Sequence, residues 1–237
     1  MSTLSSNVQL TFASYNIHKA VGLDGQRDPD RILAVLHELS ADIVALQEVD
    51  RRFGARESVI PRQALEEHGW CPAPLRMTAA GIGWHGNAIL VRRGIEIIDA
   101  EPIDLPRLEP RGAVCAHLRV DGQPLHVVGM HLDLSGIRRM HQIHAVRTHM
   151  SGRNGPAVML GDFNEWTTRA RCFNAFGDDW TVLAPGRSYP SRRPLAQLDR
   201  IVHSPGWRCE EASVHHSAVA AVASDHLPVT ARLTFTA

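Results

Sequence analysis

Eight polar residues sit where apolar runs of the chain begin or end. Asn16 lies at the end of the run 8–17, Glu48 closes 43–48, His131 closes 125–131, and Asp162 closes 157–162 with Asn164 two residues on. Asp199 opens 199–203, and Asp225-His226 precedes 228–235. A side chain at a strand end is held by rigid backbone while its head group reaches solvent, and ligand crevices in sheet proteins are built this way. Brought together, these positions supply four carboxylates, two amides and two imidazoles. Carboxylates in one crevice repel one another unless a cation offsets them. An oxygen-rich set without cysteine suits a hard ion, Mg²⁺ first, with Mn²⁺ or Ca²⁺ as alternatives. Glu48 and Asp225 are the first choices for direct ligands, and Asn16 either coordinates or holds a metal-bound water. An aspartate can orient and deprotonate an attacking water, and imidazoles can donate to non-bridging oxygens or to a leaving group. The chemistry that fits is metal-assisted hydrolysis of a phosphate ester.

The elements that must position these groups are mostly strands. Runs at 8–17, 43–48, 86–91, 113–120, 125–131, 157–162, 199–203 and 228–235 alternate or are rich in Val, Ile and Leu. Asp28-Pro29 opens a helix, with Ile32, Leu33, Leu36 and Leu39 at helical spacing. A second helix is expected over 137–150, and a hairpin turns at Asp121-Gly122. Mixed parallel and antiparallel connections imply an α/β fold of two face-to-face sheets with helices outside. No repeat or linker divides the chain, so residues 1–237 are expected to form one domain with its core at about 8–235.

Composition narrows the function. Twenty-five basic residues balance 25 acidic ones in 237 residues, for a formal net charge of zero. That disfavours indiscriminate gripping of a long polyanion. Lys19 is the sole lysine, leaving 24 of the 25 basic residues as arginine. Aromatic residues make up 5%, which offers few stacking platforms for single strands. No apolar stretch has the length of a transmembrane helix, and the first residues lack the pattern of a signal peptide. Cys71, Cys115, Cys172 and Cys209 are widely spaced, as reduced cysteines of a cytoplasmic protein would be. No HExxH or HxH spacing supports a zinc hydrolase.

Six motifs appear in order: Tyr15-Asn16-Ile17, Leu46-Gln47-Glu48, Met130-His131-Leu132, Gly161-Asp162-Phe163-Asn164, Leu198-Asp199-Arg200-Ile201 and Ser224-Asp225-His226-Leu227-Pro228. Together they resemble the endonuclease/exonuclease/phosphatase superfamily. His131 aligns the chain with the DNase and sphingomyelinase branches rather than with exonuclease III. The resemblance implies a four-layered α/β/β/α sandwich. It implies that Glu48, Asn16 and Asp225 form the metal site, and that Asp162 and Asn164 position the water and contact the phosphate. It pairs Asp199 with His226, makes His226 the phosphate-binding imidazole, and makes His131 a catalytic histidine. Asn87 and Arg111 become substrate-binding or supporting positions. The resemblance breaks at Gly83-Trp84-His85, where some DNase-like members carry an acid that holds the first histidine. Asp133 is the nearby substitute if the strand continues past His131.

Each motif also has a plainer reading. Gly-Asp-x-Asn is ordinary turn chemistry, Glu48 could be a surface acid, and Asn16 could be a buried amide. His141, His144 and His149 share the helix at 137–150 with no accompanying acid, which counts against a second metal site there. His215-His216 reads as exposed, and His18-Lys19 as residues that merely follow Asn16. The pairs Arg51-Arg52, Arg92-Arg93, Arg138-Arg139 and Arg192-Arg193 read as solvated surface, the last being placed to frame an entrance for an anion. The substrate stays open among nucleic acid, a phospholipid head group and a small phosphate ester, with no obligate protein partner. The alternative is a non-catalytic phosphate- or partner-binding module on the same fold.

Overall fold

The computed structural model describes residues 7–51, 57–75, 81–106 and 111–236. Strand β1 (Asn7–Asn16), helix α1 (Pro29–Glu38) and β2 (Ile43–Gln47) open the chain, followed by α2 (Arg62–Glu67), β3 (Trp70–Pro72) and β4 (Ala88–Arg92). Next come β5 (Glu96–Ile103), β6 (Gly112–Val120), β7 (Gln123–His131), α3 (Gly136–Met150) and β8 (Ala157–Asp162). The last elements are β9 (Thr181–Leu183), β10 (Asp199–His203), β11 (Trp207–Val214), α4 (Ala220–Ala223) and β12 (Val229–Thr236). Short 3₁₀ turns cover His18–Ala20 and Arg171–Phe176.

The strands form two six-stranded mixed sheets, ordered β11-β12-β1-β2-β4-β3 and β5-β6-β7-β8-β10-β9. Their inner faces meet in a core that includes Phe12, Ile43, Ile89, Val127 and Ile201, all at most 1% exposed. Phe12 packs edge-on against Trp207 with ring centroids 5.7 Å apart. α1 covers the first sheet through Ile32, Val35 and Leu36. α3 and the turn at Arg171–Phe176 cover the second through Ile143, Val146 and Phe176. The result is a four-layered α/β/β/α sandwich. Strands buried on both faces explain why these runs are continuously apolar. As expected, Asp28 caps α1, its Oδ1 accepting from the backbone N–H of Asp30 at 3.1 Å and of Arg31 at 3.4 Å. The hairpin between β6 and β7 turns at Asp121 and Gly122, both at positive φ (49° and 80°).

Topology gathers the polar strand ends. Each sheet contains one parallel pair, β1 with β2 and β7 with β8, joined through α1 and α3 respectively. Parallel strands place their carboxyl ends side by side: Asn16 lies opposite Gln47, and His131 opposite Asp162. β10 runs antiparallel to β8, so its first residue, Asp199, also lies opposite Asp162. β12 runs antiparallel to β1, so Asp225-His226 enters at the same end. Gly161 permits the tight approach of β8 to β7, since a Cβ there would collide with the Met130 carbonyl.

Candidate active site

Asp162 Oδ2 is the centre of the crevice. Asn16 Nδ2 donates to it at 3.0 Å, His131 Nε2 lies 3.3 Å away, and His226 Nε2 lies 3.7 Å away. Three groups, from β1, β7 and the segment before β12, therefore converge on one carboxylate oxygen at the end of β8. The carboxylate is 1% exposed, and Asn16, His131 and His226 are 3–5% exposed. Burial pushes Asp162 up, but the two imidazoles and the Asn16 hydrogen bond outweigh it and hold the carboxyl far below its ordinary range. Asp162 is thus an ionised acceptor and a weak base.

His226 is held from behind. Its Nδ1 donates to Asp199 Oδ2 at 3.0 Å, and Ser188 Oγ donates to the same oxygen at 2.5 Å. The Tyr189 ring packs on the imidazole with centroids 4.9 Å apart. Burial opposes charge on both partners and raises the Asp199 carboxyl. On His226 burial is outweighed by Asp199 and Asp162, which push the imidazole up to about 10. Both shifts describe one pair that retains its proton through neutral pH, leaving Nε2–H aimed into the crevice.

Asn164 follows Asp162 in the left-handed region (φ 52°), where asparagine is tolerated. Its backbone N–H donates to Asp162 Oδ1 and its Nδ2 to the Leu132 carbonyl, each at 2.9 Å. Asn87 is fully buried, and its Nδ2 donates to the Gly112 carbonyl at 3.0 Å. It braces the start of β6, where Gly112 lies opposite His131. Arg111 donates to His131 Nε2.

Glu48 and Asp225 lie beside Asn16. Glu48 follows β2 in the left-handed region (φ 59°), a costly conformation for glutamate and one that turns a residue out of its strand. Ser224 Oγ donates to the Asn16 carbonyl at 2.7 Å, which sets Asp225 next to β1. The Asp225 carboxylate accepts only a long hydrogen bond, 3.4 Å from Ser224 Oγ, among the described residues. Two carboxylates and an amide oxygen, with one acid nearly unpartnered, are a donor set that fits a hard divalent cation. Lys19 Nζ contacts Glu48 Oε2. Burial pushes Glu48 up, yet Lys19 and the nearby histidines hold it below its ordinary value.

Several expectations are corrected. Lys19 does not merely follow Asn16; it ion-pairs with Glu48. The strand ends at His131, and Asp133 turns away, accepting from the Ser135 N–H at 2.9 Å. It is Arg111 and Asp162 that contact His131 Nε2. Arg139 is not solvated surface but a buried partner of Glu165 at 2.5 Å. Arg92 lies over the Trp70 ring at 3.9 Å and donates to backbone carbonyls. His149 does have an acid, Glu101, 3.0 Å away, whereas His141 and His144 are exposed. His215 contacts Glu38 at 2.8 Å, and only His216 is exposed. Arg192 and Arg193 are exposed on the segment that carries Tyr189, as expected, while Arg52 and Glu109-Pro110 fall outside the described residues. Ser188 and Tyr189 were not anticipated, because serine and tyrosine in a loop carry no spacing signal, and Ser224 stood in its motif without a role of its own.

Comparison with known proteins identifies the fold and the family. Residues 13–226 match the sequence profile of the Endonuclease/Exonuclease/phosphatase family. The chain is 30% identical over 211 residues to the uncharacterized protein YbhP of Escherichia coli (strain K12), covering 78% of this chain and 81% of that one. An endonuclease/exonuclease/phosphatase from Beutenbergia cavernae superposes with a TM-score of 0.74 at 23% identity, over 96% of this chain and 72% of the other. The Bacteroides thetaiotaomicron mannosyl-6-phosphatase Bt3783 superposes with a TM-score of 0.71 at 21% identity, over 95% of this chain and all (100%) of the other. The chain belongs to the endonuclease/exonuclease/phosphatase family.

Proposed function

We propose that the crevice hydrolyses a phosphate ester by attack of water at phosphorus. The observation that carries this reading is the convergence of Asn16, His131 and His226 on Asp162 Oδ2. Asp162 orients the water, whose proton passes to solvent as the new P–O bond forms. The ester P–O bond breaks, and the leaving oxygen takes its proton from solvent. His226, kept protonated by Asp199, donates from Nε2 to a phosphoryl oxygen whose negative charge grows. Asn16 and Asn164 fix the carboxylate so that little reorganisation accompanies attack. Glu48, Asp225 and Asn16 would hold Mg²⁺, which when bound polarises the phosphoryl group and offsets charge.

Membership of the family supports action on phosphate esters, and a sugar-phosphate hydrolase among the structural neighbours shows that the fold accommodates small substrates. A substrate with an apolar group beside its phosphate is favoured by one further observation. Leu134, Ile137, Trp166 and Leu195 are 58–69% exposed, and they lie on the segments that follow His131 and Asn164 or precede Asp199. Among the described residues no helix is long and apolar enough to cross a membrane. The test is hydrolysis with Mg²⁺ of DNA, RNA, phospholipid micelles and sugar phosphates. Asp162→Ala and His226→Ala should each lose most of whatever activity appears, and two fully active variants would overturn the assignment.

A further inference from the structure

A second cluster of chemically competent side chains lies on the outer face of the second sheet, beneath the carboxyl end of α3. Glu101 on β5 lies opposite Cys115 on β6, and His117 lies two residues along on the same face, opposite His126 of β7. His149 reaches down from α3. Glu101 Oε1 lies 2.9 Å from His117 Nε2 and 3.0 Å from His149 Nε2. Ligand atoms of Glu101, Cys115 and His117 all fall within 4.8 Å of one another. The cluster is separate from the crevice: His126 and His131 are five residues apart on β7, roughly 16 Å along an extended strand.

Hydrogen bonding fixes which way the lone pairs point. The Asn154 carbonyl can only accept, so His126 Nε2, 3.0 Å away, carries a proton. Neutral His126 then has a bare Nδ1, and His117 Nδ1 donates to it at 2.7 Å. His117 Nε2 faces the Glu101 carboxylate 2.9 Å away. A proton on that nitrogen or another cation beside it has to mediate the contact. Arg153 supplies one, its Nη2 lying 2.5 Å from Glu101 Oε1 and its Nη1 3.3 Å from His117 Nε2. An imidazole whose far nitrogen is pinned by a second polar group is also the arrangement found behind metal-bound histidines. Burial keeps the His126 imidazole below its ordinary value, which agrees with this proton assignment.

We propose that Glu101, Cys115, His117 and His149 form a second metal site, selective for a borderline-soft divalent ion of the zinc class, with Arg153 standing in its place in the metal-free protein. Two imidazoles, one carboxylate and one thiolate make a four-ligand set of the kind tetrahedral zinc accepts. Cys115 is buried and holds its proton, which must leave to solvent when the ion binds. Arg153 is partly exposed at the end of the chain segment leaving α3, so it can move into solvent. A bound ion would tie α3 to β5 and β6 at the end of the helix remote from Asp133.

Cobalt(II) is the probe, added to the intact protein with excess Mg²⁺ to occupy the catalytic crevice. The wild type should bind one equivalent with a thiolate-to-cobalt charge-transfer band, and Zn²⁺ should displace it. Cys115→Ser should lose the band, and His149→Ala should weaken binding at least tenfold. Arg153→Met should bind Co²⁺ more tightly than the wild type, since its competing cation is gone. His149 is partly exposed, so that variant stays informative if Cys115→Ser fails to fold. Absence of the band in the wild type, unchanged affinity in His149→Ala, or binding no tighter in Arg153→Met would each overturn the proposal.

Discussion

Arg139 and Glu165 form a buried ion pair, 2.5 Å from guanidinium to carboxylate, that ties the segment after His131 to the segment after Asp162. Arg139 also donates to the carbonyls of Leu134 at 2.7 Å and Asp133 at 3.1 Å. Glu165 accepts in turn from the Thr167 backbone N–H at 3.0 Å and Thr167 Oγ1 at 3.2 Å. Together they set the spacing between the loop that follows His131 and the loop that carries Asn164. Removing one partner strands a buried charge, so Glu165→Ala should destabilise the fold by about 3 kcal/mol, measured by denaturant unfolding at neutral pH.

The same pair predicts a pH dependence. Burial pushes the Glu165 carboxyl up, but Thr167 and Arg139 outweigh it and hold it below its ordinary value. A depressed carboxyl contributes stability above its unfolded value, near about 4.3, and loses it as pH falls through its folded value. The stability gap between wild type and Glu165→Gln should therefore be flat from neutrality down to that region and close below it. A gap that instead widened on acidification would show that Glu165 is not ionised in the fold.

The Asp199–His226 pair carries a prediction about catalysis. Asp199→Asn keeps an acceptor of the same shape but removes the charge that outweighs the burial of the imidazole. His226 should then lose its proton within the working range, and kcat should fall on the order of a hundredfold at neutral pH. Because protonation is what has been lost, activity should recover towards acid pH. A pH–rate profile of Asp199→Asn checks this, and a loss equal at every pH would assign Asp199 to structure alone.

How much of this was legible in the chain depends on where each residue sits. β2 and β8 are central strands buried on both faces, as are the last five residues of β1 and β7, so their apolar runs end visibly at Asn16, Glu48, His131 and Asp162. β5 and β11 are edge strands that carry Glu96, Asp99 and Glu101 or Glu210 and Glu211, each with a register shift. Edge strands tolerate such charges, and so neither shows a run that pattern reading can find. Partnerships between distant elements were also hidden. Lys19 and Glu48 are 29 positions apart, Arg139 and Glu165 are 26, and Glu101 and His149 are 48. Doubled arginines and a helical histidine look solvated until the partner arrives from another element.

Lys19 makes the metal reading testable in a direction that a simple loss of function would not. Its ammonium contacts Glu48, the acid expected to bind Mg²⁺. If lysine and metal compete for that carboxylate, Lys19→Met should reach half-maximal activity at several-fold lower Mg²⁺. Glu48→Gln should do the opposite and demand more metal. Should Lys19 instead grip the substrate phosphate, Lys19→Met would raise KM and leave the Mg²⁺ midpoint unchanged.

His131 faces two groups through one nitrogen, and this decides its role. Nε2 can accept from Arg111 or donate to Asp162 3.3 Å away, but a single nitrogen cannot do both at once. The two arrangements are alternatives: with Nε2 donating to Asp162 the imidazole helps to keep that carboxyl ionised, and with Arg111 bound to Nε2 it cannot protonate a leaving group. A phosphate entering the crevice offers the guanidinium a stronger, bidentate partner. Arg111 would then release Nε2, which becomes free to carry a proton. Arg111→Lys, which keeps the charge but not the fork, should lower kcat/KM by about tenfold or more. In Arg111→Ala the imidazole is released permanently, so the added loss from His131→Ala should be smaller than in the wild type. Full additivity of the two losses in the double variant would show that the two residues act independently.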